Sequence, residues 1–196
     1  AFKLAAGAQM ILDNSMTFTS LGDAVSGNGL VIGTSRHAGR QRKNIRTPRE
    51  MAEQTVPLLA NNRVAIVFGN EVNGLENKDL AVCHEIVAIP SSDAFASLNL
   101  SHAVMIVAYE LYLASRMNVA SSDIVLAPAE QIEGFYRHLQ ATLQELGFLE
   151  REHPERIMFS LWQLFGRARL DARDVRILRG ILSSLTQSVR VKDDID

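Results

Sequence analysis

The hydrophobic positions of this chain follow two different spacings. Three short runs, GLVIGTS, RVAIVFG and EIVAIP, are rich in Val and Ile and end close to Gly or Pro. Such runs are typical of strands that are buried on both faces of a parallel sheet. Longer segments with the composition of helices lie between and after them. Strands that alternate with helices predict an α/β fold whose parallel sheet is covered on both faces.

Helix starts are marked by capping residues. In the segment TPRE, Thr47 can cap, Pro48 takes the first helical position, and Glu50 completes a capping box. Ser20 and Asp23 mark a similar start for a short helix. The segment LNLSHAVMIVAYELYLASRM has the length and apolar content of a helix that is buried on more than one side.

The chain changes character near residue 117. The stretch MNVASSDIVLAP has no sustained period, and three amphipathic helical segments without a strand follow it. Gly147 closes the first segment, Pro154 begins the second, and Asp171 caps the third. We therefore expect an α/β domain over residues 1–116, a linker over 117–128, and a small all-α module over 129–196.

Composition excludes several classes of protein. The chain has 196 residues, 47% of them hydrophobic, which suits a folded domain with one sizeable core. A single cysteine, Cys83, excludes an internal disulfide framework and a Cys-x-x-Cys site. The first residues do not have the pattern of a signal peptide, and no run approaches the roughly 18 apolar residues of a membrane span. We expect a cytoplasmic protein that contacts no membrane.

The net charge of −2 conceals a local asymmetry. No acidic residue lies between Asp23 and Glu50, whereas this interval contains a cluster of cations. The cluster comprises Arg36, Arg40, Arg42, Lys43, Arg46 and Arg49. A solvated loop and a surface for an anionic partner such as RNA both remain open as interpretations.

The segments that follow the three strands, GTSR, GNEVNGL and PSSDAFASLN, are the places where an α/β sheet binds ligands. They contain no phosphate-binding loop and no nucleophile elbow, and the five histidines have no metal-ligand spacing. We expect no metal. His102 is a packed or partly exposed helical residue, or a base. Gly69 permits close approach of a ligand, with Ile89 and Leu98 as apolar walls, or it simply permits a turn.

Taken together, LVIGTS, VFGNEVNGL and IPSSDAFASLNLSHAVMIVAYE resemble the motifs of the SPOUT methyltransferases, in the TrmH-like branch that methylates RNA ribose. The tail segments FYRHLQATLQELGF, HPERIM, LFGRAR and ILRGIL are similar to a subfamily that acts on position 32 of the tRNA anticodon loop. The resemblance implies a deep trefoil knot at the end of the α/β domain, S-adenosylmethionine as cofactor, tRNA as partner and a homodimer.

The resemblance also implies roles for individual residues. The cofactor would contact three loops, formed by Thr34, Ser35 and Arg36, by Gly69, and by Ile89 with Ala96, Ser97 and Leu98. Glu71 would brace the loops, and Ser97 and Asn99 would lie beside the transferred methyl group as catalytic residues. The RNA-binding candidates are Arg40, Arg42, Lys43 and Arg46 in the basic segment and Arg173 and Arg176 in the last helix. For the last helix, a solvated face is the other interpretation.

Two departures from the family pattern bear on function. The family's arginine that assists proton loss, near the amino end, has no counterpart here, so we expect that an amino-terminal stretch of the intact protein is missing. The segment RHAGRQRKNIR replaces a Trp-Pro-containing loop. The resemblance predicts an S-adenosylmethionine-dependent RNA 2′-O-ribose methyltransferase. The alternative is a noncatalytic RNA-binding or dimerisation protein that keeps the knot.

Overall fold

The computed structural model describes residues 7–35, 45–92, 98–149 and 154–193. Within these residues the sheet consists of β1 (Leu30–Thr34), β2 (Ile45–Arg46), β3 (Val64–Val67) and β4 (Glu85–Val87). The strand order is β2-β4-β1-β3, and every pair is parallel. The expected α/β fold with a parallel sheet is confirmed.

Helices precede, separate and follow the strands. They are α1 (Gln9–Asp13), α2 (Leu21–Val25), α3 (Pro48–Thr55), α4 (Asn77–Val82), α5 (Leu100–Ser115), α6 (Ala129–Glu145), α7 (Pro154–Ala168) and α8 (Ala172–Asp193). A 3₁₀ turn, Val56–Ala60, extends α3.

Strand β1 lies in the interior of the sheet, between β3 and β4. Leu30, Val31 and Ile32 are almost completely buried, as the continuous apolar run predicts for a strand covered on both faces. Strand β2 was not predicted, because only two residues of this segment pair with the sheet and the sequence around them is polar.

The predicted helix starts are confirmed at two positions. Thr47 and Glu50 form both hydrogen bonds of a capping box at α3. Ser20 accepts a hydrogen bond from the Asp23 amide at the start of α2. Helix α3 ends before Pro57, and the chain continues as a 3₁₀ turn, since proline has no amide hydrogen to donate within a helix.

Helix α5 packs along α3. It buries Val107 and Ala114, whereas Met105, Tyr109 and Tyr112 are more than half exposed. The expectation of burial on more than one side is therefore wrong for a single copy of the chain. An exposed apolar side of this kind is typical of an interface with another molecule.

The segment predicted as a linker is fixed to the α/β sheet. The Asn62 side chain donates to the Ile124 carbonyl oxygen and accepts from the Leu126 amide, each at 2.7 Å. Asn61 donates to the Ser122 carbonyl oxygen at 3.0 Å. Leu126 is buried. Residues 122–126 therefore follow a defined path beside Asn61 and Asn62, which precede β3, although they form no helix.

Helices α6, α7 and α8 share an apolar cluster centred on Phe135, which is 1% exposed. Phe135 packs edge-on against Phe165 with ring centroids 5.1 Å apart. The hydroxyl oxygens of Thr142 in α6 and Thr186 in α8 lie 3.4 Å apart. Among the described elements, these two helices make the most extensive helix-to-helix contact. None of the described helices is both long and apolar enough to cross a membrane.

Candidate active site

A cleft of about 280 Å³ lies where β1, β3 and β4 end. This is the edge of a parallel sheet at which ligands bind, and the cleft approaches the lower end of the range for small-molecule sites, roughly 300–1,000 Å³. Apolar side chains line the cleft together with polar groups and glycine. The apolar residues include Phe68, Leu75, Ile89 and Leu98, and the others include Thr34, Ser35, Gly69, Asn70 and Glu71.

The first loop ties the strand ends together. The Thr34 hydroxyl donates to the Val67 carbonyl oxygen at 3.0 Å. The Ser35 amide donates to the Val87 carbonyl oxygen at 2.9 Å. These bonds join the end of β1 to the ends of both neighbouring strands and fix the floor of the cleft. The third residue of this predicted loop, Arg36, lies outside the described residues.

The second loop folds back on itself at Gly69. A Cβ atom at this position would lie 2.0 Å from the Gly74 carbonyl carbon and 2.3 Å from the Leu75 amide nitrogen. Gly74 has a φ of 68°, which glycine adopts without strain. The absence of a side chain at Gly69 is therefore required by the loop's own backbone, and not only by a ligand.

The polar residue that braces this loop is Asn70. Its side-chain oxygen accepts from the Val72 amide at 3.0 Å and from the Asn73 amide at 2.8 Å, which is an Asx-type turn. Within the described residues Glu71 forms no hydrogen bond, and its side chain is exposed at the cleft. Asn70 therefore braces the turn, and the bracing role expected of Glu71 stays a prediction. An asparagine before a glycine-containing turn was the available signal.

The third loop reaches the cleft through Ile89 and Leu98. Asn99 caps α5: its side-chain oxygen accepts from the Ser101 amide at 2.9 Å and from the Ser101 hydroxyl at 2.8 Å. Asn99 therefore caps α5, and its expected place beside the transferred methyl group stays a prediction. Ala96 and Ser97 lie outside the described residues.

Phe68 and Leu75 contribute apolar surface that the sequence analysis did not assign to the cleft. Phe68 follows β3 and is packed against the same cluster as Ile66. Its position two residues after Ile66 was the usable signal, because alternate residues of a strand share a face. Leu75 had no local signal, since it approaches Gly33 only through the path of the second loop.

The predicted RNA-binding cations divide into three groups. Arg40, Arg42 and Lys43 lie outside the described residues. Arg173 and Arg176 are exposed on the first turns of α8. Arg46 forms an ion pair with Glu85, whose side chain is 4% exposed. Because Arg46 already neutralises a buried carboxylate, we do not include it in the proposed RNA surface.

His84 lies beside the sheet and away from the cleft lining. Burial lowers the pKa of its imidazole to about 4, so the ring is neutral at pH 7. Its Nδ1 atom accepts from the Val31 amide at 3.2 Å. Among the described residues, no group of three His, Cys, Asp or Glu side chains is arranged to hold a metal ion. His102 lies on the exposed side of α5.

Comparison with known families and structures agrees with the fold. Residues 1–109 match the SpoU rRNA Methylase family, and residues 130–194 match the family described as tRNA methyltransferase TrmJ, C-terminal domain. The first match covers more than half of the chain. The chain therefore belongs to the SpoU methylase family.

Individual relatives narrow this assignment. The chain is 39% identical to the tRNA (cytidine/uridine-2′-O-)-methyltransferase TrmJ of Salmonella typhimurium over 198 residues, which cover 98% of this chain and 82% of the relative. The crystal structure of TrmJ from Z. mobilis superposes with a TM-score of 0.77 at 30% identity, covering 92% of this chain and 78% of that one. A probable methylase family protein from Haemophilus influenzae has a TM-score of 0.56 at 33% identity, with 97% and 80% covered. Within the SpoU methylases, the chain belongs to the TrmJ branch.

Proposed function

We propose that this protein is an S-adenosylmethionine-dependent tRNA 2′-O-ribose methyltransferase. The observation that carries the proposal is the cleft at the ends of β1, β3 and β4 in a chain of the TrmJ branch. The Salmonella relative named above is a tRNA (cytidine/uridine-2′-O-)-methyltransferase. Position 32 of the anticodon loop is the proposed target, on the resemblance of the helical tail.

The cleft fits an adenosine-bearing cofactor. Phe68, Leu75 and Ile89 supply apolar surface for a flat base, and Thr34 with Ser35 supplies polar groups at the strand ends. Gly69 and Gly74 have no side chains, so main-chain groups line this part of the cleft. Leu98 also lines the cleft and is 38% exposed, and we propose it as a further apolar contact. Arg36, Ala96 and Ser97 are proposed as further contacts.

S-adenosylmethionine, when bound, supplies a methyl group on a sulfonium that an oxygen nucleophile takes by in-line displacement. The contribution of this chain is to align the ribose 2′-oxygen with the methyl carbon and to exclude competing water. We assign alignment to Ser97 and Asn99, and Asn99 also caps α5 through Ser101. The hydroxyl must also lose a proton. The arginine to which the resemblance ascribes this step has no counterpart in the sequence.

Cationic side chains at two places are proposed to hold the tRNA. Arg40, Arg42 and Lys43 follow the first cofactor loop, and Arg173 with Arg176 lies on α8. Contacts of this kind are made mainly to phosphate, so they position the RNA without reading its sequence. Among the described residues, neither Arg173 nor Arg176 forms an ion pair. Nε of Arg176 donates to the Ala172 carbonyl oxygen at 3.3 Å, so an anionic partner would meet its two terminal nitrogens and the guanidinium of Arg173.

The same proposal includes the finer features of the fold. We infer that the loops around the cleft form the trefoil knot, that the helices after residue 129 act as a separate tRNA-binding module, and that two copies form a homodimer in the cytoplasm. Helix α5 supports the dimer through its exposed apolar side chains. The apolar cluster around Phe135 supports the module.

A methylation assay tests the function. Full-length protein is incubated with tRNA transcripts and methyl-labelled S-adenosylmethionine, and the product is mapped by resistance to alkaline cleavage, which a 2′-O-methyl group confers on one linkage. We expect label at a single linkage, at position 32. A transcript in which that nucleotide carries a 2′-deoxyribose is the matched control and should accept no label.

The result also decides between the two candidate functions. Transfer of label to a base, or to a ribose outside the anticodon loop, would overturn the assigned target. Tight tRNA binding without any transfer, under conditions in which the cofactor binds, would favour the noncatalytic RNA-binding protein instead.

A further inference from the structure

A buried carboxylate joins two distant parts of the chain. Glu85 is the first residue of β4, and its side chain is 4% exposed. Its Oε2 atom pairs with Nη1 of Arg46, the last residue of β2. Its Oε1 atom accepts from Nε and Nη2 of Arg169 at 3.1 and 3.0 Å. Each carboxylate oxygen thus serves a different arginine.

Arg169, which makes this contact, has an unusual backbone conformation. It lies in the turn between α7 and α8 and has a φ of 50°, the only positive value at a described residue other than glycine. The left-handed region costs a residue with a Cβ atom about 1 kcal/mol or more. Nη2 also reaches the Gln54 side-chain oxygen at 3.5 Å. The conformation is therefore held in place by contacts across 84 and 115 positions of sequence.

The electrostatics of the cluster make Arg169 the informative residue. One carboxylate faces two guanidinium groups, so Glu85 stays paired with Arg46 when Arg169 is removed. Removing Glu85 would instead leave two cations side by side in a partly buried place, which is strongly unfavourable. A change at Arg169 can accordingly release the contact without leaving an unpaired buried charge.

Arg169 also lies close in the chain to proposed RNA contacts. It precedes the start of α8 by three residues, and α8 carries the exposed Arg173 and Arg176. Strand β4, where Glu85 lies, runs from this cluster to Val87 at the cleft. We propose that Glu85 and Arg169 are positioning residues that fix the cationic surface of α8 relative to the cleft, so that tRNA held by α8 also reaches the cleft.

This inference rests on the proposed function, and it differs from a purely structural role in one measurable respect. If the cluster only stabilises the fold, its loss lowers the free energy of unfolding and affects tRNA in proportion to the unfolded fraction. If it positions α8 relative to the cleft, its loss weakens the use of tRNA by a fully folded protein, and the contribution of the α8 arginines becomes smaller.

The test uses Arg169→Gly in the full-length protein. Glycine accepts the positive φ without strain, so the turn is retained while the guanidinium is removed. Arg167→Ala is the matched control, because it removes one positive charge from an exposed position two residues earlier. We expect Arg169→Gly to raise the KM for tRNA about tenfold with kcat changed less than about threefold. Arg167→Ala should change the KM by less than about threefold. For both variants, the thermal midpoint and the S-adenosylmethionine affinity should match those of the parent.

A double-mutant cycle with Arg176→Ala supplies the decisive comparison. The effect of Arg176→Ala on the KM should be clearly smaller in the Arg169→Gly protein than in the parent. Full additivity, or a KM for Arg169→Gly equal to that of the Arg167→Ala control, would overturn the positioning role. If Arg169→Gly does not fold, Arg169→Lys, which keeps the charge but not the two-point contact, is measured in the same cycle. A parent protein that methylates no tRNA would contradict the proposed function itself. Active variants that all have the same KM would contradict only the positioning role.

Discussion

At the scale of single residues, Gly69 is the position at which the loop geometry is most restrictive. An added Cβ atom would lie within 2.4 Å of three main-chain atoms of Gly74 and Leu75. We expect Gly69→Ala to open the second loop, to lower the free energy of unfolding by about 1–3 kcal/mol, and to weaken S-adenosylmethionine binding. Urea denaturation and calorimetric titration of the cofactor measure the two effects.

Gly74→Asn is the control for this prediction. Nothing lies within 4 Å of a Cβ atom at this position, and asparagine tolerates its φ of 68° better than most residues. The variant should change stability by less than about 1 kcal/mol. A Gly69→Ala protein with the parent's stability and cofactor affinity would contradict the packing of the loop described above.

Residue-scale predictions from the sequence succeeded where the cause is local. The caps at Ser20 and Thr47 depend on side chains three positions apart, which the sequence displays directly. For Gly69 the sequence left a ligand contact and a simple turn open, because its contact with Gly74 depends on the path of a whole loop. The pairing of Glu85 with Arg46 and Arg169 connects residues 39 and 84 positions apart, and no local pattern indicates it.

At the scale of elements, the chain between α5 and α6 depends on one asparagine. Asn62 donates to the Leu58 and Ile124 carbonyl oxygens and accepts from the Leu126 amide. We expect Asn62→Ala to cost about 1–3 kcal/mol, because the partly buried Leu126 amide loses its partner. Denaturant unfolding measures the cost, and hydrogen exchange at the Leu126 amide should become faster.

Asn61→Ala provides the comparison at the neighbouring position. Asn61 makes one side-chain bond, to the Ser122 carbonyl oxygen, in exposed surroundings. Its loss should cost less than about 1 kcal/mol. Equal effects of the two substitutions would show that the segment does not depend on Asn62.

The elements themselves were predictable in proportion to their length and pattern. The three apolar runs became β1, β3 and β4, and the long periodic segments became α5 to α8. Strand β2 escaped prediction because two residues carry no pattern. The fixed path of residues 122–126 escaped it as well, since it is set by side chains at positions 61 and 62 rather than by its own sequence.

At the scale of the whole molecule, a single copy of the chain leaves one apolar face of α5 exposed. Met105, Tyr109 and Tyr112 are spaced by four and three residues, so they share one side of the helix. Val104 and Leu113 lie next to them in sequence, and all five side chains are more than a third exposed. A contiguous apolar side of this kind marks an interface, and an isologous pairing would bring the face of one copy against the same face of the other. The sequence predicted the apolar excess of this helix, but only the structure shows that a single copy leaves it uncovered.

The proposed dimer is tested by placing a carboxylate in the centre of this face. Tyr109→Glu changes a side chain that is 56% exposed in one copy, so the fold of the monomer should be retained, whereas a buried unpaired charge would disrupt the pairing. We expect light scattering at micromolar concentration to give twice the mass of one chain for the parent and the mass of one chain for the variant. Ile181→Glu is the control, because it places the same charge on an apolar residue of α8 that is 53% exposed and lies on a different helix, and it should leave the parent mass unchanged. A monomeric parent would contradict the dimer, and a Tyr109→Glu protein that keeps the doubled mass would place the interface elsewhere than on α5.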